Sequence, residues 1–405
     1  MEEENKTKKI YKNIMLVIIT AFITFIITSL SLYTYFSNNG TSLFSSEQIS
    51  NLETSLNKIQ SLIDDYYLWS DEIDEDALIE SAIEGYVEGL GDVYTEYIPE
   101  EDMEEFTEDI TGSFVGIGIY MIGDEETDSI VVYYPIPDSP AEQAGVQAGD
   151  IIKSVDGVEY TYEDIDTIAD NIKGEEGTTV TLVVERDGEE LEFEIERATI
   201  NTNPITIEVL EDNIGYLKLP SFDTDTAEDF KEKVEELQKQ GCTSLIIDLR
   251  NNGGGILDET TDIADLLLEK GRTIITTKDK YENEEVIISE DEATFEMPVV
   301  ILANENSASA SEVLIGALKD NDRATIIGTT TYGKGVIQTV ISLSNGGSLK
   351  LTTAEYYTPN GTAINGVGID PDIEIELPDT VTNIYSVDES EDTQLQAAIE
   401  FLQED

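Results

Sequence analysis

PVVILANENSASASEVLIGALK (298–319) is the stretch that sets the architecture. Pro298 to Ala303 is an unbroken apolar run, the mark of a strand buried on both faces. From Ser309 to Lys319 apolar residues recur at three- and four-residue spacing, which predicts a helix. Only small and polar residues lie between. The same order repeats on both sides. GYLKL (215–219) reads as a strand, 226–240 as a helix, SLIIDL (244–249) as a buried strand, 257–269 as a helix and ATIIG (324–328) as a strand. That rhythm predicts an α/β domain over about 205–378 with a largely parallel sheet. Reactive groups in such sheets gather beyond the carboxyl ends of the strands.

Three segments meet that rule. In NENSASASE (304–312) a Ser at a strand-to-helix turn faces the free N–H groups and positive dipole end of a helix, which stabilise an oxyanion. Ser309-x-x-Glu312 is equally a capping box, which needs no catalysis to explain it. In YGKGVIQ (332–338) a Lys stands between two glycines just after a strand. Lys334 becomes a base for a Ser once burial lowers its pKa; otherwise it is a surface Lys in a turn. Four residues of straight strand span about 13 Å, so Gln338 reaches Lys334 only if the chain bends at Gly333 or Gly335. In DLRNNGGG (248–255) the glycines offer an oxyanion N–H or a plain flexible loop, and Asp248 and Arg250 suggest an ion pair that positions it.

Composition narrows the chemistry. The 405 residues exceed one ordinary domain. A net charge of −65 excludes a protein that holds nucleic acid through phosphate contacts. There is no His, which removes Ser-His-Asp triads, Cys-His dyads and His-ligated metals. Cys242 is alone, so an internal disulfide or a thiolate metal cluster is excluded. No metal and no cofactor is expected. A hydrolase with this composition needs an unusual base, and Lys fills that place.

The remaining chain divides by pattern. Residues 1–13 carry Lys6, Lys8, Lys9 and Lys12, and 14–36 form an uncharged apolar run long enough to span a bilayer. The positive-inside rule puts the tail in the cytoplasm and the rest outside, as a single-pass protein of the cell membrane. The run is longer than a signal-peptide core and ends in a poor cleavage context. Residues 44–110 read as helices, with 21 acidic residues from 45 to 110 against one Lys, Lys58. No EF-hand loop threads through Asp71 to Asp76, so the acids read as a solvated face. Short β-like runs with turn signals such as Asp156-Gly157 make 112–198 a small β module with a helical piece at 162–172. Residues 379–405 form an acidic C-terminal segment with one helix near 393–402.

The ordered blocks GSFVGIG (112–118), SPAEQAGVQAGDIIKSVDG (139–157), DLRNNGGG, NENSASASE, YGKGVIQ and YYTPNGTAINGVGIDPDI (356–373) resemble the carboxyl-terminal processing proteases, serine peptidases with a Ser-Lys pair and an embedded PDZ domain. The likeness spans about 50–378. With the patterns above it gives α/β and β modules: a transmembrane helix, a helical segment, and, as the resemblance implies, a PDZ domain at 112–198 and an α/β protease core at 199–378 together with the helical segment. It also implies that Ser309 is the nucleophile, Lys334 the general base and Gln338 its orienting partner. Ala310 with Gly254 or Gly255 would form the oxyanion hole. Gly116, Ile117, Gly118 and Ile119 would bind a peptide's terminal carboxylate. The implied partners are proteins or peptides with free C-termini, and a second copy through the N-terminal helices. Three positions depart from the family pattern: Asn252-Gly253 in the glycine block, Asp92-Val93 after the helices, and Lys173 where a gating Arg is frequent. The competing reading is a catalytically silent PDZ scaffold that binds C-terminal peptides at the cell surface.

Overall fold

The computed structural model describes residues 45–124, 127–136, 139–186, 188–378 and 391–404. The expected anchor at 14–36 and its cytoplasmic tail lie outside them, as do 379–390 of the C-terminal segment. Among the described residues no helix is long and apolar enough to cross a membrane.

The chain forms two units, one ending at Ile79 and one starting at Glu80. In the first, α1 (Ser46–Tyr66) opens with a capping box: the Ser45 hydroxyl accepts the Gln48 N–H, and Gln48 Oε1 accepts the Ser45 N–H. Helix α2 (Glu75–Glu88) leads into the second unit.

There β1 (Glu96–Ile98) and α3 (Met103–Thr111) precede the β module. The module holds β2 (Ser113–Gly116), β3 (Ile119–Asp124), β4 (Ser129–Pro135), α4 (Pro140–Ala144), β5 (Ile151–Val155), β6 (Val158–Glu159), α5 (Ile165–Ile172), β7 (Thr179–Arg186), β8 (Glu189–Glu196) and β9 (Ala198–Asn201). Strands β3, β4, β5, β7 and β8 form an antiparallel sheet in that order, with β6 on β5. Its inward side chains, including Ile130, Val132, Leu182 and Val184, close on Ile168 of α5. Strand β9 pairs with β2, so the module closes at Asn201.

The α/β core then runs β10 (Thr206–Val209), β11 (Ile214–Lys218), α6 (Thr226–Lys239), β12 (Ser244–Asp248), α7 (Leu257–Leu267), β13 (Thr273–Asp279), β14 (Glu284–Ile288), β15 (Val299–Ala303), α8 (Ala310–Asp320), β16 (Ala324–Gly328), β17 (Val336–Ser342), β18 (Ser348–Tyr357), β19 (Ile373–Glu374) and α9 (Thr393–Glu404). The main sheet has the order β10-β11-β12-β15-β16-β19, parallel except at β10. Alternation along β12 explains its two covered faces. Leu245 and Ile247 pack with Phe230 of α6, Ile263 of α7 and Leu314 of α8. Ile246 turns the other way, to Leu395 and Ile399 of α9. Burying a Leu or Ile contributes about 1.5–3 kcal/mol. The helix of the acidic C-terminal segment is therefore a packed layer of the core.

A second sheet, order β1-β18-β13-β14 with β17 also on β18, corrects the helical reading of 44–110. Glu96 is exposed while Tyr97 and Ile98 are buried, and β1 pairs with β18. Its strands mix Thr, Glu and Lys with apolar residues, so no unbroken apolar run betrays them. The β module is thus inserted between β1 and the other strands of that second sheet.

Candidate active site

The turn after β15 is built from small residues because it packs against a second loop. Ser307 Oγ donates to the Leu249 carbonyl (2.8 Å), Ala308 N–H to the Asn252 carbonyl (3.0 Å), and Ser311 Oγ to the same carbonyl (2.9 Å). Ser307 and Ser311 are fully buried, whereas Ser309 between them is partly exposed. Ser309 has φ 56° and ψ −115°, a backbone region that a side chain enters only under constraint. The geometry separates three serines that the sequence alone left equivalent.

Gly254 is the closest point of the second loop. A Cβ there would lie 2.8 Å from Ser309 Cβ and 3.0 Å from Ala310 N, so only glycine fits. Its N–H donates to Asn252 Oδ1 (2.9 Å) in the loop's own turn. Gly254 therefore supplies close approach instead of the free donor expected of it. Ala310 is buried and Gly255 exposed.

The base of this loop is clamped. Arg250 Nε and Nη2 grip Asp248 at 2.9 and 2.6 Å, and Nη1 donates to Asp392 Oδ1 (2.9 Å) and Gln394 Oε1 (3.1 Å). Tyr216 donates to Asp248 Oδ2 (2.6 Å). Burial works against the Arg250 charge, but its bonds to Asp248 and Asp392 outweigh that and raise its pKa. The expected ion pair is present, with a second carboxylate delivered by the segment before α9.

Lys334 comes from the loop between β16 and β17. That loop is fixed by Glu312, which is fully buried. Glu312 Oε2 accepts the N–H groups of Ser309 (2.9 Å) and Lys334 (2.8 Å). Oε1 accepts the Gly333 N–H (2.7 Å) and the Thr331 hydroxyl (2.6 Å). Four donors satisfy a carboxylate that would otherwise be costly to bury. Gly335 lets the chain pass Asn365, whose N would lie 2.2 Å from a Cβ. So Glu312 does cap the helix, and it also joins the Ser309 turn to the Lys334 loop.

The Lys334 amine lies 4.9 Å from the Tyr94 ring centroid. Burial pushes its pKa below the ordinary value, with Lys350 acting the same way and Glu96 against it. Among the described residues the amine makes no hydrogen bond to Ser309 or Gln338. Gln338 follows a β-bulge at Ile337, past both glycines, and its amide donates to Thr352 Oγ1 (3.3 Å). The sequence reading missed Glu312's wider role, and it missed Tyr94 and Thr352. Only the capping-box spacing hinted at the first.

In the β module the Ile117 carbonyl accepts the Ala141 N–H, and the Gly118 carbonyl accepts those of Ile136 and the Ser139 hydroxyl. Gly116, Ile117 and Gly118 are buried and Ile119 partly exposed. Beside this loop Lys173 bonds Glu108 of α3 at 2.6 Å.

A family profile described as "Peptidase family S41" matches residues 213–375, and one described as "PDZ domain" matches 131–186. The "Probable CtpA-like serine protease" of Staphylococcus aureus (strain COL) is 36% identical over 383 residues, covering 93% of this chain and 76% of that protein. That of Staphylococcus epidermidis (strain ATCC 12228) is 36% identical over 372 residues, covering 91% and 74%. Among solved structures, the photosystem II D1 C-terminal processing protease is 32% identical, covering 75% of this chain and 84% of that one, with a TM-score of 0.47. With relatives this similar along most of both chains, the chain belongs to peptidase family S41, as a CtpA-like serine peptidase with a PDZ domain.

Proposed function

We propose that the protein is a membrane-anchored serine endopeptidase that cuts extracytoplasmic proteins near their C-termini, with Ser309 as nucleophile and Lys334 as general base. The observation that carries this is the contrast within one turn. Ser307 and Ser311 spend their hydroxyls on loop carbonyls, while partly exposed Ser309 is tied to Lys334 through Glu312.

The neutral Lys334 amine takes the Ser309 proton as Oγ bonds the scissile carbonyl carbon. The oxyanion rests on the Ala310 N–H and that of Gly255. The proton then passes to the leaving nitrogen as the C–N bond breaks. Water attacks the acyl-enzyme, giving its proton to the same amine, and Ser309 recovers a proton as the ester bond breaks. Gln338 orients the amine in the substrate-bound state, where catalytic hydrogen bonds tighten relative to the free enzyme.

Gly116 to Ile119 receive the substrate's terminal carboxylate on backbone N–H groups, with the peptide added as a strand. Residues 14–36 anchor the chain with the catalytic part outside the cytoplasm. The exposed stripe Ile49, Leu52, Leu56, Ile59 and Leu62 on α1 supports a homodimer through these helices. Cleavage of an unfolded protein by wild type, Ser309→Ala and Lys334→Ala tests the core of the reading. Loss in both is expected; near-wild-type activity in either contradicts it.

A further inference from the structure

We infer that Tyr94 is a positioning residue for Lys334: its ring covers the amine, and the Asp92–Thr95 turn that carries it also holds Gln338. The inference rests on the reading of Lys334 as the base. Tyr94 lies outside both profile-matched ranges and 240 positions before Lys334. The pairing of β1 with β18 brings it there, with Glu96 opposite Lys350 and Ile98 opposite Ser348.

The turn is fixed by its own bonds. Asp92 Oδ1 accepts the Tyr94 N–H (3.1 Å) and Oδ2 accepts the Thr95 hydroxyl (2.6 Å). The Thr352 N–H donates to Thr95 Oγ1 (3.1 Å), and Thr352 Oγ1 accepts the Gln338 amide (3.3 Å). Burial, with Tyr332 two residues before the base acting the same way, raises the Tyr94 pKa. One four-residue turn therefore reaches the base from two directions: through the ring over Nζ, and through Thr95 and Thr352 to the amide assigned to orient it.

A ring over an ammonium attracts the charge, and it also keeps water from the amine; the two act oppositely on titration. At a half-exposed ring the attraction displaces a titration by less than about one pH unit, whereas drying an amine displaces it by up to about 3–5. Drying therefore governs the sign. The charged groups acting on the Lys334 amine are Lys350 and Glu96, which pair with each other; Tyr332, Glu312 and Asp92 act on Tyr94, and Glu312 also accepts the Lys334 backbone N–H. The Lys350–Glu96 pair largely cancels itself, which leaves the ring as the adjustable part of this environment.

The test is kcat and KM against pH for the full chain carrying Tyr94→Ala, Tyr94→Gln and Tyr94→Phe, beside Lys334→Ala. For Ala and Gln, kcat should fall about 10- to 100-fold with KM within about threefold, a part of what a general base contributes. The rising acid limb should move up by at least about half a pH unit, because the wetted amine is harder to deprotonate. Tyr94→Phe should recover at least about tenfold of the loss. Gln suits a half-exposed site and decides the matter if Ala unfolds, as thermal midpoints will show. Unmoved acid limbs, or a Phe variant no better than Ala, overturn the inference. Activity in Lys334→Ala would instead remove the base assignment beneath it.

Discussion

Ser309 and Lys334 donate their backbone N–H groups to the same oxygen, Oε2 of Glu312, at 2.9 and 2.8 Å. Glu312 is out of water, so this carboxylate sets where the two side chains start. Replacing it by Gln puts an NH2 where two N–H donors already point. We expect Glu312→Gln to lower kcat at least about 100-fold with little change in KM, since small misplacements cost that much. Stability should fall by about 1–3 kcal/mol through the unsatisfied donors. Kinetics and denaturant unfolding on the same preparation check both.

The three serines of the turn should separate cleanly. Ser309→Ala abolishes peptide cleavage and leaves stability nearly unchanged. Ser307→Ala leaves the buried Asn304 N–H without its acceptor, costing about 1–3 kcal/mol; Ser311→Ala removes one of two donors on the Asn252 carbonyl, costing about 0.5–1.5 kcal/mol; both retain activity below their melting temperatures. Melting curves beside turnover rates distinguish the two behaviours.

Burial lowers the Lys334 pKa in the folded protein. Holding this amine charged is therefore a burden on the fold, full below the folded pKa and relieved as pH rises through it. Two consequences follow in opposite directions. Activity rises with pH into the alkaline range, and Lys334→Met, although inactive, melts higher than wild type at neutral pH. The gain should shrink at alkaline pH; a gain that grows with pH would reverse the sign.

Arg250 ties the 248–255 loop to the C-terminal segment through Asp248 and Asp392. Asp392→Ala breaks one side of a buried pair, for which about 3–5 kcal/mol is typical, discounted here because Asp248 remains. We expect a loss of stability together with weakened catalysis. Urea titration at constant m-value checks the first, and kcat on the folded fraction the second.

The parallel sheet was legible because its strands, such as 244–248 and 299–303, are unbroken apolar runs buried throughout. The antiparallel sheet was not, since Glu284–Ile288 and Val336–Ser342 leave four of five and four of seven residues exposed and break their apolar residues with Glu, Gln, Thr or Ser. Ser309 and Lys334 stood out by glycine and serine context, but choosing among three serines required the resemblance or the burial. Tyr94 left no local mark. Its role depends on a pairing across the inserted PDZ domain, and no spacing within residues 92–95 carries that contact.

The most direct test of Ser309 with Lys334 is labelling by a serine-reactive phosphonate, read by intact mass and peptide mapping across pH. The account predicts one adduct on Ser309, faster at higher pH and lost in Lys334→Met. An adduct on Ser307 or Ser311, or undiminished labelling of Lys334→Met, would contradict it.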